Sequence, residues 1–129
     1  MAKNDKQLFF EYVGEFLMVF LPKQIGRSDN TIRSYKHGLN IFRKYMAKEI
    51  GVGLARLSFP MITRDSVLIY LQWLMEVQGC SAATRNQRLA GLKTFLKFVA
   101  DKDIGLSSTY LAIEPAHKLI QESLIYHIL

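Results

Sequence analysis

Apolar residues recur along this chain at intervals of three and four, the signature of helices that bury one face, and no stretch alternates in the period of two that marks a strand. Five helical segments follow from that pattern. The first spans about Asp5 to Leu21 and is expected to stop at Pro22, which lacks a backbone N–H. The second spans Ser28 to about Lys48, with an apolar stripe of Ile32, Tyr35, Leu39, Phe42 and Tyr45/Met46. Its polar face carries Arg33, Lys36, Asn40, Arg43 and Lys44. Gly51 and Gly53 then interrupt the pattern.

A third helix starts after Pro60 with Thr63 as its N-cap, and its expected core face is Val67, Leu68, Leu71, Leu74 and Met75. Gly79 ends it. A fourth, capped by Ser81, runs to about Ala100, with Leu89, Leu92, Phe95/Leu96 and Val99 inward and Asn86, Ala90, Lys93 and Lys97 toward solvent. After a turn around Lys102 to Gly105, the tail is read as partly helical, with Pro115 near a helix start. Its last residues, including Leu119, Ile120, Leu124 and Ile128, are too apolar for a free end. They either pack on the preceding helices or mark the approach to a further domain.

The second and fourth helices echo each other. Ser28, Thr31, Tyr35, Leu39 and Phe42 fall at intervals of three, four, four and three, and Ser81, Thr84, Arg88, Leu92 and Phe95 repeat those intervals 53 residues later. Charge is concentrated in the same places. Lys23 to Lys48 holds seven basic residues against one acid, and Ser81 to Lys102 five against one. These two segments carry +10 of a chain whose formal charge is +6, so the remainder nets −4. The first turn of a helix offers unpaired N–H groups and a partial positive charge, and phosphates bind there readily. The hydroxyls of Thr31 and Thr84 would stand beside those groups, with Arg33, Lys36, Arg85 and Arg88 in the following turns. Two such helices point to a polyanion, and duplex DNA is the leading partner. Each residue also has a plainer reading. Serine caps are ordinary, basic helix faces are often merely solvated, and Tyr35 fits a core position with its hydroxyl at the rim.

Composition narrows the rest. The chain has 129 residues, half of them hydrophobic, enough for a buried core. Cys80 is the single cysteine, which excludes an intrachain disulfide and a Cys-rich zinc site and fits a reducing, cytoplasmic compartment. The apolar N-terminal stretch is broken by Glu11 and Glu15, so it reads as a core helix rather than a membrane span or leader. Gly51-Val52-Gly53 is not followed by the Lys-Ser/Thr of a phosphate loop. The histidines lack ligand spacing and the acids form no catalytic pair, so no cofactor, metal or catalytic residue is expected.

Three segments together resemble the N-terminal core-binding, SAM-like domain of the tyrosine recombinases, the phage integrase family. The family's second helix reads S-x-x-T-x-x-x-Y-x-x-x-L-x-x-F, here SDNTIRSYKHGLNIF. Its third reads I-T-x-x-x-V-x-x-Y-L, here ITRDSVLIYL. Its fourth reads S-x-x-T-x-x-x-R-L-x-x-L-x-x-F-x-x-F, here SAATRNQRLAGLKTFLKF. The resemblance covers about Gln7 to Ala100. It implies an all-α, compact bundle of four to five helices. Residues 1–105 would form the DNA-binding domain, and 106–129 a linker or terminal helix leading to a catalytic domain that the chain lacks.

It also implies a clamp on the recombination site during DNA integration or recombination, with the second and fourth helices on the major groove and flanking phosphates. Thr31, Tyr35, Thr84 and Arg88 match motif positions, while Arg33, Lys36, Arg85, Asn86 and Lys93 are contact candidates from helix phase. Further implied partners are the catalytic domain and other recombinase protomers in a synaptic tetramer, in a prokaryotic, DNA-associated setting. The fragment alone is expected to be a monomer. The family's His-x-x-Arg box is absent, since His37 is followed by Gly-Leu-Asn and His117 by Lys-Leu-Ile. Two other readings stay open: a helical protein-interaction domain, and a standalone accessory DNA-binding protein without recombinase activity.

Overall fold

Hydroxyl caps and three-four apolar spacing produce helices throughout a computed structural model that describes residues 5–24, 28–51 and 57–115. Every regular element among the described residues is helical, so the fold is all-α. The chain divides into two units, Met1–Met61 and Ile62–Leu129.

In the first unit, α1 (Asp5–Glu15) continues through a π-helical turn at Phe16–Phe20 into the short α2 (Leu21–Lys23). Pro22 therefore does not stop the helix where the sequence placed the break; it sits in the first turn of α2. Proline in a continuous α-helix leaves one carbonyl unpaired and crowds the preceding turn. Here the turn before it is widened, with the Leu21 N–H donating to the Phe16 carbonyl five residues back, which makes room for the ring. The long α3 (Asp29–Glu49) follows, and Gly51 beyond it takes a positive φ.

An aromatic core holds this unit together. Phe9 and Tyr12 of α1 lie 5.2 and 6.2 Å from Phe59, in the 3-10 turn Phe59–Met61. Phe16 meets Tyr35 of α3 edge-on at 5.5 Å. Phe16, Leu21, Phe42, Tyr45, Met46 and Phe59 are all buried. Offset and edge-to-face ring pairs of this kind each add roughly 0.5–1.5 kcal/mol beyond area burial.

The second unit is built from α4 (Arg64–Glu76), α5 (Ala82–Lys102) and α6 (Ser107–Ile113), with a 3-10 turn at Ile104–Leu106. Both α4 and α6 pack on α5. Thr63 caps α4 as the sequence predicts, in a reciprocal box: Ser66 N–H donates to Thr63 Oγ1 at 3.1 Å, and Thr63 N–H donates to Ser66 Oγ at 2.9 Å. Val67, Leu71 and Leu74 are buried as expected, but Met75 is on the outside and Leu68 is half-buried. Tyr70 and Trp73 take the interior instead. Their broad rings shift the centre of the buried arc away from Met75 and Leu68, which lie together at its edge at about 100° per residue.

Beyond α4, Gly79 adopts φ +68°, a backbone state costly for other residues. It lets the Cys80 N–H reach back to the Leu74 carbonyl at 2.9 Å and sets Ser81 as the next cap. On α5, Leu89, Leu92, Phe95, Leu96 and Val99 are buried as the stripe predicts, and Phe98 joins them. The tail packs back through Thr109 and Ile113 of α6, both buried. Pro115 comes after this helix, and the stretch it was expected to open, with the apolar C-terminal residues, lies outside the described residues.

Candidate nucleic-acid interface

The two echoed helices begin in the same way. Ser28 Oγ accepts the Thr31 N–H at 3.2 Å, and Ser81 Oγ accepts the Thr84 N–H at 3.2 Å. The hydroxyls pair as well, at 3.1 Å in α3 and 3.2 Å in α5. In α5 the Ser81 hydroxyl is the donor of that pair and the Thr84 oxygen accepts. Each cap satisfies a backbone donor that would otherwise be orphaned, worth about 1 kcal/mol.

Past the first turn, the repeated residues and the basic residues part company. Tyr35, Leu39 and Phe42 follow the inner side of α3, with Tyr35 half-buried against Phe16. Arg88, Leu92 and Phe95 follow the inner side of α5. Arg88 is half-buried, and its Nε is shut off from solvent with no hydrogen-bond partner among the described residues. It stands near Tyr70. Burial pushes the Tyr70 hydroxyl well above the ordinary tyrosine range, opposed by the positive charge of Arg88, with Cys80 adding to the rise. The 53-residue echo is thus largely a packing echo, which sets two helices on their cores in the same register.

The outer sides hold the exposed cations. On α3, Arg33, Lys36, His37, Asn40, Lys44 and Lys48 are exposed, and no acid occurs between Asp29 and Glu49. On α5, Asn86 and Lys97 are exposed and Lys93 is half-buried, on the face opposite the buried stripe. Arg85 is half-buried and turns its Nε to Asn86 Oδ1 at 3.2 Å. Lys97 lies 3.7 Å from Asp101, an exposed pair of little energetic weight, and 6.0 Å from the Tyr110 ring. With Ala90, Lys93 and Thr94, those two residues line a shallow groove.

Of the sequence candidates, Arg33, Lys36, Asn86 and Lys93 therefore fall on outer faces. Thr31 and Thr84 fall at the caps. Tyr35 and Arg88 fall inward, and Arg85 at the border. Lys44, Asn40 and Lys97 were legible as polar-face residues but not singled out as contacts, and His37 joins them on phase alone. No three His, Cys, Asp or Glu side chains gather to hold a metal ion among the described residues. No described helix is long and apolar enough to cross a membrane.

Comparison with known proteins adds an independent line. The profile of the phage integrase N-terminal SAM-like domain matches residues 15–103. The tyrosine recombinase XerD of Oceanobacillus iheyensis is 29% identical over 108 residues, which cover 84% of this chain and 35% of that protein. The tyrosine recombinase XerD of Rickettsia bellii is 28% identical over 93 residues, covering 72% of this chain and 28% of that protein. The chain thus spans about a third of the length of these relatives. No solved structure matches it.

Proposed function

We propose, since this chain belongs to the phage integrase N-terminal SAM-like domain family, that it is the DNA-gripping part of a site-specific tyrosine recombinase. The observation that carries the reading is the outer face of α3, where cations run from Arg33 to Lys48 with no acid among them. The outward residues of α5, Asn86, Lys93 and Lys97, extend the same chemistry to a second helix. On this reading the lysines neutralise phosphates, and Arg33, Asn86 and the capped helix starts hold the register on the duplex. Thr31 and Thr84 add hydroxyl donors beside the first-turn N–H groups. Tyr35 and Arg88 act chiefly through packing, by fixing the rotation of their helices.

Strand cleavage and joining would belong to a catalytic domain outside this chain, whose own sequence holds no His-x-x-Arg box. The partners of the working assembly would be that domain, duplex DNA and further recombinase protomers.

The test is direct. Binding of a labelled duplex should weaken steeply with salt, with a log–log slope of about −4 to −5 for roughly four to six phosphate contacts. No binding to duplex at 50 mM salt, or binding indifferent to salt, would remove DNA as the partner. A second reading, a helical protein-interaction domain, draws on Ile104 and Leu111, which are 88% and 64% exposed. It gains ground only if duplex binding fails.

A further inference from the structure

We propose that Asn40 is a specificity-determining residue that reads the major-groove edge of an adenine. The inference rests on the reading of this chain as a duplex-binding domain, and it goes beyond that reading by assigning the sequence information to one side chain.

Asn40 lies in the middle of the outer face of α3, exposed, twelve residues past the Ser28 cap. The four positions that surround a residue on a helix surface are three and four away on either side. For Asn40 these are Lys36, His37, Arg43 and Lys44, every one a basic residue type. By helix phase, Lys36 and Arg43 lie about 40–60° to one side of Asn40, and His37 and Lys44 lie by the same amount to the other. An uncharged amide thus sits on the centre line of a cationic strip, with Arg33 two turns earlier on the same line.

Stability does not account for that placement. Asparagine is a poor helix former in an exposed helix interior, where alanine, lysine or glutamine would serve better. Its amide makes no hydrogen bond to any described residue and caps nothing.

A helix lying in the major groove brings its centre line to the base edges and its flanks to the two phosphate strands. Long lysine side chains on the flanks suit phosphates, which carry no sequence information. The shorter amide on the centre line suits a base. Its Nδ2 would donate to adenine N7 while its Oδ1 accepts from the N6 amino group, a bidentate match that no other base edge reproduces.

The experiment is a selection by the 129-residue chain from a pool of duplexes with a randomised core, run in parallel with Asn40→Ala. The wild-type chain should enrich a motif containing adenine. Asn40→Ala should relax one adenine position, with discrimination there falling about 5- to 150-fold. Its affinity for the unselected pool and its salt slope should stay unchanged. A circular-dichroism melt of the variant checks that it is folded. The inference is overturned if Asn40→Ala enriches the same motif, if the wild-type chain binds the pool but enriches none, or if the variant weakens all duplexes alike. Absence of salt-dependent binding to the unselected pool by the wild-type chain would instead sink the DNA reading itself.

Discussion

Two basic residues five positions apart on neighbouring turns of α5 should behave in opposite ways. Arg88 and Lys93 share their helix and their charge, yet one faces inward and the other outward. Arg88→Ala removes a half-buried stem from the inner side of α5 and should cost about 1–3 kcal/mol in denaturant unfolding. Its effect on the salt dependence of duplex binding should be small. Lys93→Ala should change stability by less than about 0.5 kcal/mol and make the salt slope shallower by about 1. The reverse pattern would return Arg88 to the DNA face. Tyr70 gives a second test at this scale. Its hydroxyl is held neutral by burial, so the folded state keeps a proton that the unfolded chain releases near pH 10.0. The stabilisation is complete below that pH and is lost as pH rises toward the raised folded value. Tyr70→Phe should flatten the alkaline fall in stability above about pH 10. An unchanged alkaline limb would show that Tyr70 is not shielded.

Among the elements, the three hydroxyl caps were the most legible features. Ser28, Thr63 and Ser81 each precede an apolar-periodic run, and each accepts an N–H three residues on. Ser81→Ala should cost about 1 kcal/mol by thermal or denaturant unfolding, and Ser81→Gly a few tenths. A negligible loss for alanine would mean that the α5 start is held by tertiary packing alone.

What the sequence concealed has physical causes. Pro22 reads as a stop because periodicity assumes regular α-helix, while the chain inserts a wider turn ahead of it. Tyr70 and Trp73 were hidden because an aliphatic ladder leaves out rings that also bury. The echo of Ser, Thr, Tyr/Arg, Leu and Phe drew attention to residues that mostly pack. The contact candidates follow instead from phase relative to the buried stripe, a signal already present in Arg33, Lys36 and Lys93.

At the scale of the molecule, family and helical fold were both readable from three ordered motifs, and the match across residues 15–103 agrees with them. Where the charge sits matters more for duplex binding than how much there is. A chain of formal charge +6 binds polyanions weakly through any cation, whereas a DNA-binding face localises the effect. The decisive measurement is the salt dependence of duplex affinity for two charge-matched double variants. Lys36→Ala with Lys44→Ala removes two cations from the outer face of α3. Lys23→Ala with Arg64→Ala removes two exposed cations from α2 and the start of α4. If the outer face of α3 grips the duplex, the log–log slope becomes shallower by about 2 for the first pair and by less than about 0.5 for the second. Equal changes in the two, or a larger change in the second, would contradict it.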